Sequence, residues 1–292
     1  MRLVQRALLA GLVLAAVGQV GAPACAADTG TVVFVGIPPL EFVVERLAGE
    51  FVTVEVLLPP GASPHTYEPT PRQMAALDRA ALYLQIGVPF EGPFLDKVKS
   101  VVDELRIVDC RRGVELVPVE GGEAHDHGHD FLDPHIWLDP ARMQQVAANA
   151  AQALKELLPE RSTEIDRNLL ALELALRETD RRVAEVLARY DGRTMVVLHP
   201  AYGYFARRYG LEQLAVEVEG KAPSARQLTA VVDRLENHPL RAIFVQPQFS
   251  KTAAQRIADA LGSDLVELDP LAGDYLANLE RMAGRIAASL ED

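Results

Sequence analysis

The chain is poor in cysteine. Its 292 residues include only two, Cys25 and Cys110, which excludes a small scaffold stapled by disulfides. An excess of positive charge is missing too: 29 Lys and Arg stand against 41 Asp and Glu, a formal net charge of −12. Nucleic acid is therefore not expected as a partner, because phosphate binding needs a basic face. Beyond the first residues no apolar run approaches the roughly 20 residues a membrane-crossing helix needs. Absent as well are a Gly-rich phosphate loop, a G-x-S-x-G nucleophile elbow and an H-E-x-x-H helix. What remains is a globular composition, 49% hydrophobic and 24% charged, long enough for one large core or two smaller ones.

The first residues read as a leader rather than as fold. Arg2 and Arg6 precede an apolar run over 7–17, and small residues converge on Ala24, Cys25, Ala26 and Ala27 before Asp28. This is the pattern of a secretory signal peptide with a small-x-small cleavage site, assigned here to residues 1–26. Cys25 as a lipid-modified first residue is disfavoured, since Ala22-Pro23-Ala24 lacks the large aliphatic residue expected three places earlier. The expected product is exported and periplasmic. Cys110 is then left alone and is expected to be a small core residue.

Short β-rich runs alternate with helical ones. Strands are expected at 31–36, 51–58, 82–86 and 107–109, with helices after the first and at 72–81. The pattern restarts after residue 190, with strands at 195–198, 214–218, 242–245 and 265–268 and helices at 225–236 and 252–261. Near-continuous apolar strands separated by helices indicate parallel sheets covered on both faces. Between the two sets lies a Gly-free stretch interrupted only by Pro159. It reads as a helix over 141–158 and a second over 160–190, the latter about 45 Å long. Ile165, Leu169, Leu172, Leu176, Val183 and Leu187 recur at three and four, with one step of seven, as an amphipathic stripe. The expected architecture is α/β in two lobes: an N-terminal lobe over 27–159, a linking helix over 160–190 that restrains the hinge, and a C-terminal lobe over 191–292.

Five of the seven histidines fall in one arc of the first lobe: His65, His125, His127, His129 and His135. His199 directly follows the strand at 195–198, and Asp269 follows the strand at 265–268 in the same way. In parallel sheets, ligands bind beyond the carboxyl ends of the strands. Each lobe thus offers two candidate metal ligands, His65 and His135 from the first, His199 and Asp269 from the second. Three imidazoles and one carboxylate suit zinc, which takes nitrogen and oxygen ligands in fours. Four protein ligands leave no open position for an activated water, which argues against catalysis. The same residues taken singly read as capping or surface groups, and it is their joint placement that points to a metal. The stretch 124–130 alternates His with Asp or Gly; such tracts commonly bind metals, making His125, His127 and His129 an accessory metal loop. His238 reads as a surface residue, and Trp137 is expected to pack beneath His135.

At this point the motifs are familiar. Pro64-His65-Thr66-Tyr67, Asp133-Pro134-His135-Ile136-Trp137, His199-Pro200-Ala201-Tyr202, Gln246-Pro247-Gln248-Phe249 and Leu268-Asp269-Pro270 occur in this order along the chain. The chain resembles the periplasmic zinc-binding proteins of ABC transporters, within the zinc/manganese substrate-binding family. The resemblance implies two α/β lobes joined by a rigid helix, with metal ligands at His65, His135 and His199 and Asp269, or water, at the fourth position. It implies capture of Zn(II) as the transported ligand, and delivery to an inner-membrane permease with its cytoplasmic ATPase, by a protein acting as a monomer. Manganese members tend to carry Glu where His199 stands, which puts this sequence on the zinc side. Three rivals remain open: a Mn(II) or Fe(II) uptake protein, a zinc hydrolase using Asp269 or Glu68 as base, and a surface adhesin.

Overall fold

The computed structural model describes residues 30–100, 102, 105–119, 132–216, 226, 229, 233 and 240–291. The leader expected at 1–26, the His-rich stretch 124–130 and His238 lie outside them, as does most of the helix expected at 225–236. Arg226, Thr229 and Asp233 of that stretch are helical.

The first sheet is built from β1 (Val32–Val35), β2 (Thr53–Val56), β3 (Ala80–Gln85) and β4 (Arg106–Asp109), in the order β2-β1-β3-β4. The second is built from β5 (Thr194–Val197), β6 (Glu212–Ala215), β7 (Ala242–Val245) and β8 (Asp264–Glu267), in the order β6-β5-β7-β8. Every pairing is parallel. The two lobes therefore share one topology, each reversing strand order around its first strand, and such reversals are where open α/β sheets bind ligands. The central strands are the apolar ones: all four residues of β1 and of β7 are buried, as a sheet covered on both faces requires.

The helices are α1 (Pro38–Ala48), α2 (Pro71–Ala76), α3 (Glu91–Lys99), α4 (Pro140–Leu157), α5 (Ser162–Leu187), α6 (Gly203–Arg208), α7 (Lys251–Leu261) and α8 (Tyr275–Leu290). The helix expected at 72–81 ends early, because residues Leu77–Arg79 tighten to a 3-10 turn and Ala80 already begins β3. The connecting helix is 26 residues long, flanked by 3-10 turns at Pro159–Arg161 and Ala188–Tyr190. The step of seven in its apolar stripe is filled by Thr179, which is buried alongside Leu176 and Val183.

Three helices escape the sequence reading: α3, α6 and α8. The last is the consequential one. Its Leu279, Met282, Ala283 and Ile286 are buried at helical spacing, and it packs against α5. Helix α5 also packs against α1 and α4. A single apolar core consequently runs from β1 and α1 through α5 into α8 and Tyr202–Phe205, with two small satellite clusters in the second lobe. Cys110 is buried in it, and burial pushes its thiol pKa far up; as expected, it is a core residue rather than a nucleophile.

Candidate metal centre

The ladder of β2 continues past its last residue: Leu57 and Leu58 donate to the carbonyls of Val35 and Gly36. Gly61 then turns the chain at φ +78°, a conformation that favours glycine. Successive turns follow, in which Ala62 donates to the Pro59 carbonyl and Thr66 to that of Ser63. His65 is carried on this loop and its backbone N–H meets Ser63 Oγ at 3.3 Å. The loop is tied down behind it. The Tyr67 hydroxyl lies 2.7 Å from both the Leu57 carbonyl and Gln73 Oε1, and Gln73 Nε2 donates to the same carbonyl. Gln73 also completes a capping box with Thr70 at the start of α2.

His135 stands on a segment that closes on itself. Asp133 Oδ1 accepts from the His135 backbone N–H at 2.9 Å and pairs with ring Nδ1 at 2.7 Å. With Nδ1 committed to a carboxylate, Nε2 is the atom left for a metal, and the ring orientation is set. Trp137 packs 5.2 Å from the His135 ring, centroid to centroid, as anticipated. The segment belongs to the first lobe, where the Asp133 N–H donates to the Val117 carbonyl, and the second lobe holds it as well: Tyr204 Oη bonds to the Asp133 carbonyl at 3.1 Å, Trp137 Nε1 donates to the Pro270 carbonyl at 2.7 Å, and the Tyr275 hydroxyl donates to the Trp137 carbonyl.

His199 leaves the end of β5, one residue after Leu198, whose N–H donates to the Phe244 carbonyl. Its ring lies against Phe249 at 5.5 Å.

These three strand-end and loop addresses converge. One ligand atom each from His65, His135 and His199 lie within 4.8 Å of one another, a set able to hold a metal ion. His199 Nε2 stands 3.0 Å from His65 Nε2. Four ligands at zinc distances of about 2.0–2.1 Å sit about 3.4 Å apart, so the spread suits a tetrahedral ion after small adjustments. His135 and His199 are buried, whereas His65 is exposed at the rim as a residue. Its ring is nonetheless crowded: burial first, then the facing rings of His199 and His135, lower its pKa to about 3. The neutral ring that metal ligation needs is thus the favoured form.

Asp269, the fourth candidate, is not in this group of three. Its Oδ1 accepts from Gln248 Nε2 and from the Leu271 N–H, each at 3.0 Å. Glu68 is exposed and outside the group as well. Sequence reasoning assigned no role to Asp133, although its place two residues before His135 was the available signal. It also missed Gln248, Tyr204 and Tyr275, whose parts depend on contacts across 21 to 138 positions of sequence.

Fold and site together define a two-lobed α/β protein with three imidazoles gathered at the strand ends of its cleft. The family model described as ZnuA, zinc-uptake complex component A, periplasmic, matches residues 33–289, and the chain belongs to that family. The high-affinity zinc uptake system protein ZnuA of Yersinia pestis is 30% identical over 264 residues, covering 82% of each chain. The zinc-binding lipoprotein AdcA of Streptococcus pneumoniae is 26% identical over 80% of this chain, which spans 48% of that relative's length. A ZnuA crystal structure superposes with a TM-score of 0.81 at 36% identity, covering 89% of this chain and 98% of that one. A zinc-bound ZnuA deletion mutant superposes at 0.82 and 35% identity, covering 90% of this chain and 99% of that one. Among the described residues no helix is long and apolar enough to cross a membrane.

Proposed function

We propose that the protein captures Zn(II) outside the cytoplasm and hands it to an ABC permease powered by a cytoplasmic ATPase. The observation that carries this reading is the convergence of His65, His135 and His199 from separate segments onto one point. Three nitrogen donors favour zinc over Mn(II), which prefers oxygen ligands. Asp269 is the protein's own candidate for the fourth position. Membership of a family of zinc-uptake components supports the transport role, and with it a binding protein rather than an enzyme.

On this reading residues 1–26 are removed on export, the lobes comprise 27–159 and 191–292, and 160–190 link them. The core continuous through α5 suits ion transfer by small shifts around the cleft rather than by wide closure. The molecule acts as a monomer toward its permease. The stretch carrying His125, His127 and His129 collects metal for the cleft; deletion of 124–130 is expected to slow loading, and unchanged affinity, stoichiometry and transfer rate would remove that role.

Titration of the metal-free protein with Zn(II) against a competing chelator tests the central claim. One tight site that excess Mn(II) does not empty is expected. Ready displacement by Mn(II) or Fe(II) would favour uptake of those ions instead, and zinc-dependent turnover of ester or peptide substrates would turn the reading to a hydrolase.

A further inference from the structure

Topology brings Asp269 to the same edge as His199, yet its carboxylate stays out of the imidazole cluster. Four contacts restrain it. Oδ1 is held by Gln248 Nε2 and the Leu271 N–H. The Asp269 carbonyl accepts from Asn278 Nδ2 at 2.6 Å, and the following carbonyl, of Pro270, accepts from Trp137 Nε1. With two consecutive carbonyls bound, the backbone has little room to advance. With the backbone held, the carboxylate approaches the cluster by rotation of its side chain, which disturbs the bonds from both donors to Oδ1. Of those donors, Gln248 alone is a side chain. Its own bonding is incomplete: Oε1 is buried without a partner among the described residues, a costly arrangement for an amide that serves structure alone. The next residue, Phe249, lies against His199, so this short segment touches both the cluster and the carboxylate.

We propose that Gln248 is a specificity-determining latch: its bond to Oδ1 holds Asp269 outside the imidazole cluster, and an ion gains the carboxylate only by displacing the amide. This rests on the zinc-binding reading above and adds to it which residue sets the fourth ligand. An ion satisfied by three imidazoles loses little to the latch. A harder ion such as Mn(II), which depends on carboxylate oxygen, loses more. The latch therefore widens the preference for zinc.

Calorimetric Zn(II) and Mn(II) titrations of the wild-type protein, Gln248→Ala, Asp269→Ala and the double variant test this. In Gln248→Ala, Mn(II) is expected to tighten about ten-fold, the worth of a hydrogen bond to a charged group, and zinc by only about two- to three-fold. Neither gain should survive in the Asp269→Ala background, a dependence that a purely structural role of Gln248 would not produce. Gln248→Leu, close in volume, guards against loop collapse and should repeat the result. Unchanged or weaker Mn(II) binding in both Gln248 variants overturns the proposal, as does a zinc gain as large as the Mn(II) gain or an equal shift with and without Asp269. Wild-type protein that binds no zinc overturns the functional reading itself, a different outcome from a latch that fails.

Discussion

The indole N–H of Trp137, two residues past His135, donates to the carbonyl of Pro270, one residue past Asp269, at 2.7 Å. One bond thereby joins the first lobe's buried ligand segment to the second lobe's acidic strand end. Together with Tyr204 and Tyr275, which bond to the carbonyls of Asp133 and Trp137, it ties the His135 segment to the second lobe, while the Asp133 N–H donates to the Val117 carbonyl and α4 continues the segment within the first lobe. Of the three imidazoles, His65 is the exposed one.

Trp137→Phe keeps an aromatic body but orphans the Pro270 carbonyl. The expected cost is about 1–3 kcal/mol of stability in the metal-free protein, the usual penalty for a buried group left unpaired. Zinc binding should weaken as well, since the His135 segment loses one of its ties. Denaturant melts with and without zinc measure both effects.

His199→Ala removes one of the three clustered imidazoles and, on the proposed reading, is expected to lower zinc affinity at least about a hundred-fold. Asp133→Ala leaves every imidazole present and frees the backbone N–H and ring Nδ1 of His135. Its expected loss is about 10–100-fold, typical of the outer partners of metal-ligating histidines. Chelator competition should rank the two in that order, and a harmless Asp133→Ala would remove the orienting role of that carboxylate.

Two groups, His65 and Glu91, set opposite pH trends. His65 has its pKa lowered from 6.5 to about 3 by burial and the two facing rings. As pH falls from about 6.5 toward 3 the unfolded chain takes up this proton and the folded one does not, so stability falls. Glu91 is shifted the other way. Burial raises its pKa from 4.5 to about 7, despite bonds from the Tyr83 hydroxyl and the N–H groups of Gly87, Ile86 and Val88. Between pH 4.5 and 7 the folded state holds the extra proton, so this contribution is full below pH 4.5 and declines as pH rises. Urea midpoints of His65→Ala should lose part of the acid-side decline, and those of Glu91→Gln part of the decline toward neutrality.

Leu176 is fully buried in the middle of α5. Leu176→Ala should cost about 2–5 kcal/mol through lost burial and the cavity left behind. Because the core runs unbroken through both lobes, a single cooperative unfolding transition is expected at lower denaturant, with zinc affinity little changed. Two separated transitions would show that the lobes unfold independently.

Much of this molecule was legible in one dimension. The apolar runs that became β1, β3, β5 and β7, the Gly-free stretch that became α4 and α5, and the histidines placed after strands are all local patterns, and local patterns report local structure. Helix α8 went unread although its Leu279, Met282, Ala283 and Ile286 carry the period, and α3 and α6 are too short for a period to stand out. On α5, Thr179 shows the limit: a polar letter hid a buried position.

What the chain by itself determined is the periodicity, the two lobes in tandem, and the supply of imidazoles at the carboxyl ends of parallel strands, because these follow from neighbours along the backbone. Only the tertiary structure decided which imidazoles meet, that the His135 segment is bonded to both lobes, and that Gln248 donates to Asp269. Those outcomes depend on hydrogen bonds spanning up to 138 positions, and no pattern of adjacent residues encodes a contact whose two ends are brought together by a shared core.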